Sequence, residues 1–305
     1  MALITALLVV AIAAATATAL ARRQQLEIQR SANILNAEQA YLYALGAEGF
    51  ARQVLRRDAA DSEIDHLDEG WAALVPPTVI DGGELVGRLE DLQGRFNLNN
   101  LVVDDRPAAL QVAQFQRLLQ LLELPPGAAW YVVDWLDGDQ DPAPSGGAED
   151  LDYLRRQPAY RSAGRPLTSA SELLLIEGFD MAAYRRLEPY VTALPTPTPL
   201  NVNSAPAILL QGLADQLGLD LAEQLVDARS DSPFESVDAF LEQVEALAGQ
   251  ALRNQVAAAA LAVASQHFLF QGEARFGRGR VRLASLLQRT GDGTVTTLRR
   301  SREQL

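Results

Sequence analysis

The chain has 305 residues, with 26 basic against 39 acidic side chains and a formal net charge of −13. Every basic residue is Arg, and Lys and Cys are absent, which excludes a Walker A phosphate loop, Schiff-base and Ser–Lys catalysis, disulfides, thiol chemistry and Cys-bound zinc. The two His, His66 and His267, lie too far apart in sequence to suggest a His-rich metal site, and the negative charge opposes general nucleic-acid binding.

An apolar content of 48% supports a packed core, and the length suggests two domains on a prior of ~150 residues each. Residues 2–21 carry no charge, Pro or Gly, and twenty helical residues span about 30 Å, the thickness of a hydrocarbon core. A cleavable secretory signal fits poorly, since no basic stretch precedes the run and no helix breaker follows it. Arg22 and Arg23 mark the water interface. Beyond them no Pro occurs up to residue 57, and Leu26, Ala32, Leu35, Leu42 and Leu45 suggest one apolar stripe. A single helix over 1–57, about 86 Å long, is expected, its first third in lipid and the rest packed on a soluble domain.

Two acidic runs without Arg follow. Residues 58–70 hold six acids and 134–152 hold seven, together equal to the whole excess of acid over base. The first, framed only by Trp71, reads as a helix end and a solvated loop. Between them, residues 79–99 read as strand, turn, strand around Gly82-Gly83. Helices are expected over 107–123, 127–136, 149–156, 169–176, 180–191, 205–217, 220–229, 235–248 and 250–264. Pro195, Pro197 and Pro199 read as a stiff linker. Residues 266–300 read as three strands, the last two joined at Gly291-Asp292-Gly293.

The architecture expected is α+β, a long helix on a small antiparallel sheet with an all-α insertion. Its segments are 1–21 in the membrane, 22–104 with 262–305 as helix and sheet, and 105–261 as the inserted domain. The Asn-rich stretches Phe96 to Asn100 and Leu200 to Asn203 each precede a helix, and helix capping is the simplest reading of both.

In the second acidic run, Asp137, Asp139 and Asp141 match the first, third and fifth positions of an EF-hand loop. Pro142 and Ala148 then stand where that loop needs Gly and Glu, so it is not an EF-hand. Seven carboxylates in so short a stretch repel one another unless a cation relieves them. Hard oxygen ligands without His or Cys favour calcium, and a solvated acidic loop is the alternative. Trp135 and Tyr153 inside the run, and the helical spacing of Asp134 and Asp137, favour a metal site. The candidate ligands are Asp134, Asp137, Asp139, Asp141, Glu149, Asp150 and Asp152.

Leu200 to Phe240 resembles helix-hairpin-helix repeats that bind DNA elsewhere, and 165–190 echoes the pattern. Arg229 is the only basic residue from 201 to 240, however, so a packing scaffold is the better reading and a membrane-tethered DNA-uptake protein the alternative. Neither a Gly-x-Ser-x-Gly elbow nor an HExxH motif occurs, and no enzyme is expected.

The N-terminal segment Met1-Ala2-Leu3-Ile4 resembles the processed start of type IV pilin-like proteins. The stretches Asp91 to Asn99, Asp134 to Asp152 and Leu200 to Pro206 resemble the K-type minor pseudopilin family of type II secretion systems, a resemblance that covers essentially the whole chain. It implies a pilin-like fold, a processed and methylated N-terminus at Met1, and a single-pass inner-membrane anchor with the body in the periplasm of a Gram-negative bacterium. Thr5 stands where most pilins have the Glu that pairs with a neighbour's N-terminal amine. The K type lacks that Glu, which fits a subunit at the filament tip, since an unpaired charge in lipid is costly. The resemblance further implies one or two calcium ions in the helical domain and assembly with the I, J and H types. It also implies initiation of the pseudopilus in support of protein export, with secreted substrates or the outer-membrane channel as further contacts. No nucleic acid is expected.

Overall fold

The structure is a computed structural model that describes residues 1–73, 75–143 and 145–302; Pro144 in the acidic run and residues 303–305 of the last segment lie outside it. Helix α1 runs over Ala2–Asp61, four residues past the expected end. Five strands form one antiparallel sheet: β1 (Val75–Ile80), β2 (Gly83–Asp91), β3 (His267–Phe276), β4 (Gly279–Arg289) and β5 (Val295–Ser301). Their spatial order is the chain order, although about 175 residues separate β2 from its neighbour β3.

The first 35 residues of α1 are exposed. Within them the Thr5 hydroxyl donates to the Ala2 carbonyl (2.9 Å), and Thr16 and Thr18 likewise bond back to their own helix. Such bonding satisfies a hydroxyl where lipid would offer no partner. Of the expected stripe, Leu45 packs against the sheet, but Leu26, Ala32, Leu35 and Leu42 are exposed, Leu35 at 69%. The buried face is Ala40, Ala44, Ala47, Ala51 and Leu55, packed on Phe268, Phe270, Leu283, Leu287 and Trp71. Small residues win this face because they let the helix backbone close on the sheet. The approach is tightest at the β3–β4 turn, where a Cβ on Gly279 would lie 2.6 Å from the Asn36 backbone. One acid is buried in the same contact. Glu48 accepts from Ser285 and Arg300 (both 2.6 Å) and from Thr297 (2.7 Å). Burial works to raise its pKa, and these bonds outweigh burial and hold it at about 2.

The insertion has its own apolar core, running from Phe96 to Leu261. Residues 96–101 therefore pack with the inserted unit, not with the sheet as a boundary at 104/105 implies. Its helices include α2 (Ala109–Leu121), α3 (Ala128–Leu136), α4 (Asp150–Tyr153) and α5 (Met181–Leu187). They continue with α6 (Ala207–Gln211), α7 (Leu219–Asp231), α8 (Val237–Ala248) and α9 (Gln250–Arg253). Expected helices 205–217 and 250–264 shrink to α6 and α9. The latter gives way to a short 3-10 turn and a bridge at Leu261–Ala262 that pairs with Leu200–Asn201.

The Asn-rich stretches do more than cap helices. Asn97 does cap the turn that follows, accepting from the Asn99 amide. But Asn99 also exchanges two bonds with Leu167 (2.8 and 2.9 Å), Asn100 two with Thr198 (2.7 and 2.9 Å), and Asn203 two with Phe234 (both 2.9 Å). A primary amide presents the donor and acceptor of a peptide group, so each ties a distant backbone segment without a sheet. Thr198, between Pro197 and Pro199, is thereby pinned, and the Pro run is not a free linker.

The first acidic run is the expected helix end and a loop with Glu63 and Asp68 exposed, but it is not solvated throughout. Asp65 is fully buried, and Arg289 of β4 bonds it, the Ser265 carbonyl (2.9 Å) and Asp58 (2.7 Å). Beside it, buried Asp91 at the end of β2 accepts from Ser204, Ser265, Asn201 and the Gln93 amide. His267, also fully buried, has its pKa pushed down to about 4 by that burial, so it is neutral.

Removing Arg289 strands a buried carboxylate, a change that costs about 3–5 kcal/mol in comparable sites. Arg289→Met should therefore lower the melting temperature by on the order of 10 °C, and adding Asp65→Asn should recover part of it. A melting curve unchanged in Arg289→Met would show that the pair is not needed.

Candidate functional site

The second acidic run folds around the end of α3. That helix is a run of nine residues, AAWYVVDWL, whose buried face includes Val132, Val133 and Trp135. Asp134 sits in its last turn and Asp137 follows as its C-cap. The chain then loops through Asp139 and returns at Glu149, the N-cap of the single-turn helix α4. Tyr153 closes the back of the site, edge-on to Trp135 with ring centroids 5.1 Å apart and stacked on Tyr160 at 5.4 Å. Gly147 makes the return possible, since a Cβ there would lie 1.7 Å from Asp134 Oδ2.

Among the described residues, one carboxylate oxygen each from Asp137, Asp139 and Glu149 lie within 4.8 Å of one another. Asp137 Oδ1 and both Glu149 carboxylate oxygens are buried without a hydrogen-bond partner. Asp134 adjoins them, accepting from the Ala143 amide at 3.1 Å. Burial first, then the neighbouring charges of Asp134, Asp137 and Asp139, push Glu149 up to about 8. Burial, with Asp139, Asp134 and Asp105 beside it, pushes Asp137 up to about 6. Asp134 is raised in the same direction, chiefly by burial. Buried, mutually repelling oxygens of Asp137 and Glu149 with open lone pairs, beside the exposed carboxylate of Asp139, suit a hard divalent cation.

The other three candidates point elsewhere. Asp141 is exposed, and only its amide is engaged, by Asp139 Oδ1. Asp150 accepts from the amide and hydroxyl of Ser162 (both 3.0 Å) and pairs with Arg161. Asp152 accepts from the Glu149 amide (3.3 Å) and meets Arg155. The sequence reading missed Asp105. It follows Asp104 in a tight hairpin between Val102–Val103 and Arg106–Pro107, both acids at positive φ, and its Oδ1 accepts from the Gly138 amide at 2.8 Å. The pair of Asp between two short extended runs is the turn signal that would have exposed it.

The helix-hairpin-helix region offers no phosphate contact through Arg229. That side chain is buried and donates to the Val202 and Ala205 carbonyls (both 2.6 Å), and burial lowers its pKa to about 10.

A long helix laid on a small antiparallel sheet, with an all-α insertion between its second and third strands, defines a pilin-like fold of enlarged form. Models of the family "Type II secretion system (T2SS), protein K" match residues 94–196 and 200–264. The chain is 41% identical to a type II secretion system protein K of Pseudomonas aeruginosa over 99% of its own length and 92% of that protein's. It is 38% identical to one of Klebsiella pneumoniae over 95% and 92%. In structure it resembles a chain of the crystallised GspK-GspI-GspJ complex from enterotoxigenic Escherichia coli, with TM-score 0.79 and 26% identity, covering 89% of this chain and 98% of that one. The chain belongs to the protein K family of type II secretion systems, a family of secretion-system structural proteins and not of enzymes.

Carboxyls that gain protons on folding make the metal-free protein less stable as pH rises. The window runs from the unfolded Glu pKa of 4.5 to about 8 in the fold. Melting temperature in a chelator should fall across that range, and Glu149→Gln should flatten the fall. Identical slopes for the two proteins would remove Glu149 as the cause.

Proposed function

We propose that this chain is a minor pseudopilin that sits at the tip of the type II secretion pseudopilus and starts its assembly with the I and J types. Residues 2–21 anchor it in the inner membrane, with the N-terminus at the cytoplasmic face and the body in the periplasm. The observation that carries this reading is the unpartnered first part of α1. Leu26, Ile28, Ile34 and Leu35 are all more than half exposed, on a helix whose opposite later face is taken by the sheet. Such apolar side chains suit neighbouring helices of a bundle. Thr5 adds that no carboxylate is available in this segment to pair with a subunit ahead. Co-expression with the I and J types should give a monodisperse heterotrimer in detergent; a persistent monomer would sink this assignment.

The carboxylate cluster holds calcium in this reading, with Asp137, Asp139 and Glu149 as ligands and Asp134 and Asp105 adding negative charge beside them. Its support is the set of buried, unpartnered oxygens. The ion would tie the end of α3 to α4 and hold the insertion in one shape. Calorimetry on the wild type should show calcium binding and a raised melting temperature, by ~2.7 kcal/mol of stability at a hundredfold excess over Kd. Asp137→Asn with Glu149→Gln should lose both effects, and calcium stabilisation that survives in this variant would move the site elsewhere.

A further inference from the structure

The face of the sheet turned away from α1 is basic, in a chain whose overall charge is strongly negative. Strand alternation places Glu84, Arg88 and Glu90 of β2, Glu273 and Arg275 of β3, and Arg280 and Arg282 of β4 on that face, where Glu84 pairs with Arg275 and Glu90 with Arg95. Arg88, Glu273, Arg280 and Arg282 border an open concavity of about 1060 Å³, with Arg302 at its edge. Glu273 is the one acid in its lining. It is shared by three guanidinium groups, accepting from Arg275 Nε (3.0 Å), Arg280 Nη2 (2.6 Å) and Arg282 Nε (3.0 Å). One carboxylate thus orients three cations; Arg275 also meets Glu84 (3.8 Å), and Arg280 and Arg282 leave an excess of positive charge in the concavity. Arg275, Arg280 and Arg282 remain about half exposed or more, and Arg282 turns only its Nε inward. A guanidinium held this way presents its outer fork, the geometry that meets a carboxylate with two parallel bonds. Arg88 is fixed in turn by Gln271 (2.7 Å). Ordering the forks beforehand reduces the entropy that a partner's binding would otherwise cost.

We propose that this face is a docking surface for an acidic, carboxylate-rich segment of another protein. Charge complementarity selects that partner, since this concavity carries four Arg against one acid in a chain of net charge −13. Distance argues against a lipid headgroup. The β3–β4 turn rests on Asn36, and the fourteen residues of α1 between Arg22 and Asn36 rise about 21 Å. That is more than two Debye lengths of about 8 Å at physiological salt.

The test uses the full chain in a neutral detergent and a fluorescent Glu-rich peptide, with a Lys-rich peptide of equal length as control. The Glu-rich peptide should bind at low salt and weaken as salt rises, and the control should not bind. Arg280→Glu with Arg282→Glu should weaken binding roughly tenfold or more. Glu273→Gln, which removes the acid shared by Arg275, Arg280 and Arg282, should tighten it; a purely structural role for Glu273 predicts the opposite. Melting curves report whether each variant folds, and Glu273→Gln decides the matter if the double reversal does not. No binding at low salt, equal binding to the charge-reversed chain, or weaker binding to Glu273→Gln would each overturn the proposal. So would displacement of the peptide by inorganic phosphate at comparable concentration, which would make the face a simple oxyanion site.

Discussion

Arg289 and the two buried acids beside it hold this molecule's parts in register. Asp65 follows the end of α1, Asp91 ends β2, Ser265 leads into β3, and Asn201 belongs to the insertion; all four are joined within one hydrogen-bonded group around Asp91, Asp65 and Arg289. Each buried charge here is costly unless it keeps its partners, so the junction tolerates little displacement. The apolar contact at the same place is small, Leu92 with Leu194 and Leu286, between two much larger cores. Orientation of the insertion on the sheet therefore depends more on directional polar bonds than on area buried.

The same logic recurs inside the insertion with neutral groups. Asn99, Asn100 and Asn203 each replace a missing strand neighbour for a distant segment, and Arg229 does so for two carbonyls at once. This lets short helices and irregular loops satisfy their backbone groups while buried. It leaves the end of α3 fixed enough to gather carboxylates that would otherwise spread apart. Asp134, Asp137 and Glu149 are the unbalanced exception, each with its pKa raised by burial and by the charges beside it.

Helix α1 divides its work along its length. Its Ala face lets the sheet close on residues 40–55, and its earlier residues are left bare. Sequence periodicity alone chose a stripe of which only Leu45 packs against the sheet, because larger side chains such as Leu35 and Leu42 carry more hydrophobic signal than Ala. Close approach of a helix to a sheet selects small residues instead, and the large ones are left on the outward side.

The sequence by itself determined the local features. Twenty uncharged residues set a helix segment long and apolar enough to cross a membrane, alternation around Gly turns set the five strands, and residue order carried the family resemblance. It also located the acid, and thus the region of the candidate metal site. Tertiary structure decided which acids converge. Asp137, Asp139 and Glu149 meet, while Asp150 and Asp152 are drawn off by Ser162, Arg161, Arg155 and the Glu149 amide. Asp105 arrives from a hairpin about thirty residues away. Arg289 reaches Asp65 across 224 positions, which put a buried junction within an expected solvated loop. The physical reason is one of range. Periodicity and turn chemistry act over a few residues and are written in the local pattern. The partner of a buried charge is fixed only by where the chain returns, and no local pattern records that.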